Sequence, residues 1–318
     1  MNYNIKLCLL IFLIFAQTAY SKEVLLVISY HKDFPWVIDF EKGFFEIIPE
    51  EKTDKVYLNS KHGSSYEITQ NIFKAEEIIK KENPQILVCL DDNALEFVCK
   101  KYFNTDKKIV FAGINRDKSY YKLEKVNNVT GVFEHIYFEQ TFEIIQEAFP
   151  TAKKILLLSD KSISSLSALE KCPKTYKSMQ ITIKNIEFFT DWQKEIKEAQ
   201  DNYDILIILT CAKIKDNKGN YLHNTDVLKW TLRNNKLPEI TLLSWMVKNG
   251  ALMGVTISGY NHGIEAGVIV KKLLKGFPIS KIPYIKYTKA ELTVNLKRAK
   301  ELNIQLPIGI LMFANTIN

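Results

Sequence analysis

Short runs of consecutive apolar residues recur along this chain of 318 residues, and they constrain its fold more than any other feature. Most of the runs are hydrophobic throughout rather than alternating between apolar and polar residues. This pattern is typical of parallel strands that are covered on both faces. The runs are Val24–Ser29, Val56–Asn59, Ile86–Leu90, Lys108–Gly113, Val129–Phe133, Ile155–Ser159, Ile181–Phe188, Ile205–Thr210, Ile240–Ser244 and Leu252–Ile257.

Segments with the apolar spacing of helices lie between these runs. Ile68, Ile72 and Ile79 repeat at helical intervals after the cap candidate Ser64, and Phe138–Phe149 shows the same pattern. Alternation of strands and helices favours doubly wound parallel sheets, and ten strands are better accommodated by two sheets than by one. We therefore predict an α/β fold of two lobes.

The N-terminus has the layout of a secretory signal. Lys6 precedes the apolar run Leu7–Ala16, and Ala19–Ser21 places small residues at the positions that a signal peptidase reads. The run is too short to span a bilayer comfortably, although a retained membrane anchor is the alternative. We predict a signal peptide at residues 1–21, cleavage after Ser21 and a periplasmic location.

The excess of basic over acidic residues in the chain does not indicate nucleic-acid binding. The formal net charge is +7, but lysines alternate with acidic residues, as where Glu76 and Glu77 precede Lys80 and Lys81. Such a pattern is typical of solvated helix faces rather than of a track for phosphates. We predict a monomer with no nucleic-acid partner.

Four cysteines follow the predicted signal peptide: Cys89, Cys99, Cys172 and Cys211. Their spacing matches neither a small disulfide scaffold nor a CxxC motif for zinc or redox chemistry. Cys89 and Cys211 each lie at the end of an apolar strand, which favours buried free thiols and leaves a single bridge as the alternative.

Residues at the carboxyl ends of the predicted strands are the candidates for ligand contact, because doubly wound folds bind ligands there. The segment after the first strand contains Tyr30, His31 and Trp36. Aromatic rings, an imidazole and a hydroxyl can stack on and hydrogen-bond a small organic ligand. Packing of Trp36 against its own sheet is the alternative.

Asp91, Asp92 and Asn93 follow the strand Ile86–Leu90. One aspartate is expected to cap the next helix. The other is expected to face the cleft, where it can accept a hydrogen bond from a ligand amine or hydroxyl. No His or Glu cluster with ligand spacing accompanies the pair, so we predict no metal site.

Further candidates come from other strand ends and from a glycine-containing turn. Glu134 and His135 end the strand after the polar stretch Asn115–Asn128, where we place the first crossing, and are therefore expected to line the cleft from the second lobe. The remaining candidates are Asn115, Thr210, Trp245 and Tyr260.

Catalytic signatures are missing from the sequence. It contains no GxSxG elbow, no HExxH motif, no GxxxxGK[ST] loop and no GxGxxG after a strand. We predict no catalytic residues, no cofactor and no enzymatic activity. An exported hydrolase is the alternative, since the members of a Ser/His/Asp triad need only meet in space.

Four stretches carry a resemblance to a known family: Val129–Glu134, Lys154–Ser159, Gly263–Gly276 and Asn295–Pro307. On these the chain resembles the ABC-transporter substrate-binding family of type I periplasmic-binding folds, which includes tryptophan- and tyrosine-uptake proteins. The last stretch is the most specific, because such proteins typically end on a helix, an apolar residue and a proline.

Three further segments resemble one branch of this family. Ser29–Trp36, Asp91–Leu95 and Val110–Asn115 look like the branch found as sensory regions ahead of histidine kinases or diguanylate cyclases. Where this chain has Asp91 and Asp92, the transport branch more often has a Ser/Thr-Pro pair.

The resemblance implies two lobes joined by a three-crossing hinge. We expect lobe one to comprise 22–117 with about 258–281, and lobe two to comprise about 118–257 with 282–318. The implied function is that of an exported solute-binding protein, which closes on a small amine- or hydroxyl-bearing or aromatic ligand and presents the closed form to a membrane permease. The alternative is a sensing subunit for a separate membrane histidine kinase or diguanylate cyclase.

Overall fold

The computed structural model describes residues 22–286 and 290–317, so the predicted signal peptide lies outside the described residues. No helix in these two ranges is both long and apolar enough to cross a bilayer. The strands are β1 (Val24–Ile28), β2 (Thr53–Tyr57), β3 (Ile86–Leu90), β4 (Lys108–Ile114), β5 (Val129–Phe133), β6 (Lys154–Asp160), β7 (Thr175–Tyr176), β8 (Met179–Ile186), β9 (Ile205–Ile208), β10 (Glu239–Thr241), β11 (Met253–Thr256), β12 (Glu291–Asn295) and β13 (Asn315–Ile317). The α-helices are α1 (Pro35–Phe45), α2 (Ser65–Glu82), α3 (Asp92–Phe97), α4 (Phe138–Ala148), α5 (Ile163–Leu169), α6 (Phe189–Asn202), α7 (Asn224–Asn234), α8 (Ser244–Lys248), α9 (Gly259–Leu274), α10 (Leu296–Glu301) and α11 (Ile308–Phe313).

The first sheet is parallel throughout, with the strand order β2-β1-β3-β4-β5. Successive residues of β1 point to opposite faces. Leu26 packs with residues of α1 and α9, whereas Leu25 packs with residues of α2 and α3. Every side chain of β1 is therefore buried. This explains why the sequence of this strand is hydrophobic without alternation.

The second sheet has the order β13-β12-β11-β10-β9-β6-β8-β7. It is parallel except where β12 runs antiparallel to β11 and β7 runs antiparallel to β8. Residues of α4 and α5 pack on one face, and residues of α6, α7 and α8 pack on the other. The predicted α/β class with two doubly wound sheets is confirmed.

The first crossing between the sheets follows β5, and its predicted place at 115–128 is wrong. Strand β5 pairs with β4 along Ile109 to Ile114 and therefore belongs to the first sheet. The polar segment before β5 is a loop that returns to the same sheet, and its Tyr121 and Leu123 are buried in the first lobe. The polarity of this segment reflects the exposure of the loop rather than a change of lobe.

The chain passes between the sheets three times: from β5 to β6, from β11 to α9, and from α9 back to β12. Helix α9 packs closely on α1. A Cβ atom at Gly43 would lie 2.1 Å from the Tyr260 carbonyl oxygen, and one at Gly263 would lie 2.1 Å from the Phe40 carbonyl oxygen. The two helix backbones can approach this closely only because these positions lack side chains.

Cys89 and Cys99 form a disulfide, with their Cα atoms 6.7 Å apart. The expectation of a free thiol at Cys89 is therefore wrong. The short helix α3 turns the chain back so that Cys99 meets the end of β3, an approach that the spacing of the cysteines does not reveal. Cys172 and Cys211 are buried free thiols.

Candidate functional site

A cavity lies between the carboxyl ends of the two sheets. Both lobes contribute to its wall. Six of the residues that we predicted as ligand contacts line it: Tyr30, Trp36, Asp91, Asn115, Glu134 and Thr210. The other lining residues are Phe34, Lys61, Ile136, Ser164, Ser165, Ala168, Leu209 and Leu243.

Asp91 forms the floor of the cavity together with Tyr30. The Tyr30 hydroxyl donates to one carboxylate oxygen of Asp91, and the other oxygen accepts from the Asp92 N–H at 2.7 Å. Ser29 holds the end of β3 against the start of α3, because its hydroxyl donates to the Leu90 carbonyl oxygen and accepts from the Ala94 N–H. Burial raises the pKa of Asp91 to about 7, and repulsion by Asp92 adds to the effect.

Asp92 fastens the loop after β4 instead of facing the cavity. Its carboxylate accepts from the Asn115 N–H at 3.0 Å and from the Tyr121 hydroxyl at 2.8 Å. The predicted division of the pair is thus corrected: Asp91 both caps α3 and lines the cavity, because its two oxygens point in different directions.

Glu134 follows β5, and its N–H donates to the Ile114 carbonyl oxygen at 2.8 Å. It therefore enters the cavity from the first lobe and not, as predicted, from the second. A Cβ atom at Gly113 would lie 3.4 Å from the Glu134 carboxylate and 3.5 Å from the ring of Trp36, so both side chains approach the open space beside this glycine. Burial raises the pKa of Glu134 well above the usual range, and the nearby charges of Asp91 and Asp92 raise it further.

Lys61 is the main functional candidate that the sequence analysis missed. It is only 5% exposed, and its ammonium lies 4.4 Å from the ring centre of Tyr30 and 5.1 Å from that of Phe34. These distances suit cation–π attraction. Lys61 follows the end of β2, so the strand-end rule that identified Tyr30 would have identified this lysine if applied there as well.

The second lobe closes the cavity with hydroxyl groups held by Asp160. This buried carboxylate accepts from the Ser162 N–H, the Lys213 N–H and the Thr210 hydroxyl. Burial alone would raise its pKa, but Lys61 and these hydrogen bonds lower it overall. The Ser164 hydroxyl lies 3.3 Å from that of Tyr30. The two lobes thus touch, and the structure is a closed form.

Three predicted residues lie beside the cavity. His31 stacks on His62 with ring centres 4.5 Å apart, and His62 in turn stacks on Tyr221 of the second lobe at 5.3 Å. Asn93 donates to the Ser60 hydroxyl in an adjoining recess. His135 lines another recess that shares Asn115 and Glu134 with the main cavity.

Two predicted residues lie elsewhere. Trp245 is buried in the core of the second lobe between the sheet and its helices. Tyr260 lies on the first turn of α9, and its hydroxyl donates to Glu46 on the outer side of the first lobe. Both follow strand ends in sequence, but their helical positions direct the side chains away from the cleft. Among the described residues, no three His, Cys, Asp or Glu side chains are grouped to hold a metal.

The model of one protein family, described as "ABC transporter substrate binding protein", matches residues 37–317. This range includes both sheets apart from β1 and most of the residues that line the cavity. The chain belongs to the ABC transporter substrate-binding protein family. The resemblance noted from its sequence is confirmed.

One curated relative of this substrate-binding protein is a "Tyrosine-binding protein" from Clostridioides difficile. It is 23% identical over 181 residues, which make up 56% of this chain and 50% of the relative. The match thus spans about half the length of the curated relative.

Two solved structures share the fold of this substrate-binding protein across most of its length. A Streptococcus pneumoniae ABC domain in complex with L-Trp has a TM-score of 0.72 at 18% identity and covers 93% of this chain and 99% of its own. A conserved domain protein from Vibrio cholerae has a TM-score of 0.71 at 17% identity and covers 94% of this chain and 100% of its own. The expected type I periplasmic-binding fold is confirmed.

Proposed function

We propose that this protein is the exported solute-binding component of an ABC-type uptake system and that it captures a small organic ligand between its two lobes. The observation that carries the proposal is the cavity at the facing carboxyl ends of the two sheets, with a wall built from both lobes. Family membership supports a binding role. The signal-like N-terminus supports a periplasmic location, with cleavage after Ser21.

The proposed lobes follow the sheets. Lobe one comprises residues 22–133 with α9, and lobe two comprises α4 to β11 together with the segment from β12 to β13. Ligand contacts are assigned to Tyr30, Trp36, Asp91, Asn115 and Glu134 from lobe one and to Thr210 from lobe two. Contacts to both lobes exist only when the cleft is closed, so a ligand shifts the population toward the closed form.

The experiment is a screen of small metabolites by thermal shift, followed by small-angle scattering with each compound that stabilises the protein. A ligand at a hundredfold excess over its Kd is expected to stabilise the fold by about 2.7 kcal/mol. The radius of gyration should fall with the same compound. A compound that stabilises the fold but leaves the radius of gyration unchanged would contradict the closure mechanism.

The partner is tested with the ligand-loaded protein. We expect a membrane permease to bind the closed form more tightly than the ligand-free form. Binding instead to the external domain of a histidine kinase or diguanylate cyclase would favour the alternative function, that of a sensing subunit. That function uses the same closure of the two lobes.

A further inference from the structure

The carboxyl groups near the cavity differ in whether they line it. Asp160 accepts hydrogen bonds from Ser162, Lys213 and Thr210 of its own lobe. Asp92 is likewise occupied by the loop after β4. Asp91 and Glu134 are the two carboxyl groups that line the cavity itself, where Asp91 accepts from Tyr30 and from the Asp92 N–H and Glu134 accepts from Asn115. Each carboxylate oxygen has a second lone pair, so both groups can still accept from a ligand.

Lys61, the lysine that the described residues contribute to the cavity wall, does not neutralise this pair by direct contact. Lys61 lies over the rings of Tyr30 and Phe34, and among the described residues no ion pair includes it. Two carboxyl groups that share a desolvated cavity cannot easily both be ionised, since each negative charge raises the cost of the other. A proton is therefore held on the pair when no ligand cation lies in the closed cavity, because the charge of Lys61 lowers the pKa of both groups less than burial raises it.

A second observation points to a ligand that meets these groups. Trp36 is only 5% exposed and lines the cavity near Glu134, yet its ring nitrogen finds no hydrogen-bond partner in the described part of the chain. A buried donor without an acceptor costs free energy unless a ligand supplies one. The rings of Trp36, Phe34 and Tyr30 also present aromatic surface to the cavity, and such surface attracts organic cations.

We infer that the ligand carries a protonated nitrogen that binds between Asp91 and Glu134, and that the proton held on this carboxyl pair leaves to solvent as the ligand enters. The inference rests on the proposed function and names its ligand class: small organic amines, including amino acids, with an acceptor atom for Trp36. In the exchange one carboxyl O–H bond breaks, its proton passes to water or buffer, and the carboxylate that remains binds the ammonium group.

The groups that face the pair determine how binding depends on pH. Asp91 faces Tyr30, Lys61 and Asp92, while Glu134 faces Asp91, Asp92 and Lys61. Burial raises the pKa of both members of the pair, to about 7 for Asp91. Release of one proton on binding makes affinity fall by up to about tenfold for each pH unit below this range, because protons then compete with the ligand. Above it, affinity should level off.

The first test is a panel of matched probes: L-tyrosine and tyramine against hydroxyphenylpropionate, L-tryptophan and tryptamine against indolepropionate, and putrescine against butanediol. We expect binding only by amine-bearing members, with a loss of ten- to a hundredfold or more in the analogues without nitrogen. An analogue without nitrogen that binds as tightly as its amine would overturn the inference while leaving the proposed function intact. If no amine of the panel binds while a compound without nitrogen from the metabolite screen does, the inference fails and the proposed function stands.

The second test is calorimetry of the best amine in buffers of different ionisation enthalpy, which counts the protons released. We expect close to one proton for the native protein at a pH near neutral. Glu134→Gln and Asp91→Asn should each reduce this number and weaken binding about tenfold or more. Glu170→Gln, at an exposed carboxylate on the second lobe, is the matched control and should behave like the native protein. Zero proton release by the native protein would overturn the exchange.

Discussion

Asp91 has a backbone conformation that residues with a side chain rarely adopt, with φ 72° and ψ 165°. Such a conformation costs free energy and persists where the surrounding contacts impose it. Here the contacts are the Asp91 N–H bond to the Ala112 carbonyl oxygen and the carboxylate bonds to Tyr30 and Asp92. The strain aims the carboxylate at the cavity and is consistent with a binding role for this residue.

Asp92 should matter for stability more than for binding. We expect Asp92→Ala to lower the free energy of unfolding by about 2 kcal/mol, because the buried Asn115 N–H and Tyr121 hydroxyl lose their acceptor. Loss of a desolvated carboxylate offsets part of the cost, since burial raises the pKa of Asp92. Chemical denaturation measures the change, and the exposed Asp106→Ala is the control, expected within about 0.5 kcal/mol of the native protein.

The two variants of the aspartate pair should therefore separate. Asp91→Asn is expected to weaken amine binding. Asp92→Ala is expected to lower the free energy of unfolding, while the folded protein binds the ligand with native affinity. Equal loss of affinity in both variants would contradict the separate roles that their hydrogen bonds indicate.

Strand-end position predicted which residues lie near the cleft but not where their side chains point. Tyr30 and Glu134 reach the cavity because they extend directly from buried strands. Tyr260 does not, because the first turn of α9 rotates it toward Glu46. A rotation of one position around a helix decides the outcome, and sequence spacing does not register it.

At the scale of elements, the contact between α1 and α9 is set by glycine. We expect Gly263→Ala to lower the free energy of unfolding by about 2 kcal/mol, because the added Cβ would lie 2.1 Å from the Phe40 carbonyl oxygen and must push the helices apart. Lys271→Ala, on the solvent side of α9, is the control and should change stability by less than about 0.5 kcal/mol. Equal stability of the two variants would show that the helices separate at no cost.

The main strands were predictable because their residues are buried on both faces, as in β1 and β3. β12 was missed because it mixes polar with apolar residues and is only partly buried, and β13 because it has three residues and is largely exposed at the edge of the second sheet. The first crossing was misplaced for a related reason. A polar segment indicates exposure to solvent. Because surface loops and hinges are both exposed, polarity alone does not distinguish a loop within one lobe from a crossing between lobes.

At the scale of the whole molecule, histidines form part of the seam between the lobes. His62 of lobe one contacts the Ala212 carbonyl oxygen of lobe two at 2.9 Å and stacks between His31 and Tyr221. Burial lowers the pKa of His31 to about 4, and the neighbouring His62 lowers it further. Burial also lowers the pKa of His62. The other charged groups facing these rings are Asp33, which favours protonation, and Lys61, Lys213 and His223, which oppose it.

We expect this seam to open as the pH falls. A histidine whose pKa is depressed in the closed form binds protons more readily once exposed, so closure is favoured above about pH 6.5 and lost progressively toward about pH 4. The radius of gyration without ligand should therefore increase between about pH 7.5 and about pH 5. His62→Phe keeps the ring stack without the charge and should weaken this response. Identical dimensions of the native protein at both pH values would contradict the expectation.

Helix α9 belongs to the first lobe, although it follows almost the entire second lobe in the chain. A ribosome that has made the five strands of the first sheet has not yet made the helix that covers Phe40 and Phe44. Until residues 259–274 emerge, that apolar strip faces water and is open to chaperones and proteases. The first lobe therefore cannot be completed until β6 to β11 of the second lobe have been synthesised, although its first five strands are made before them.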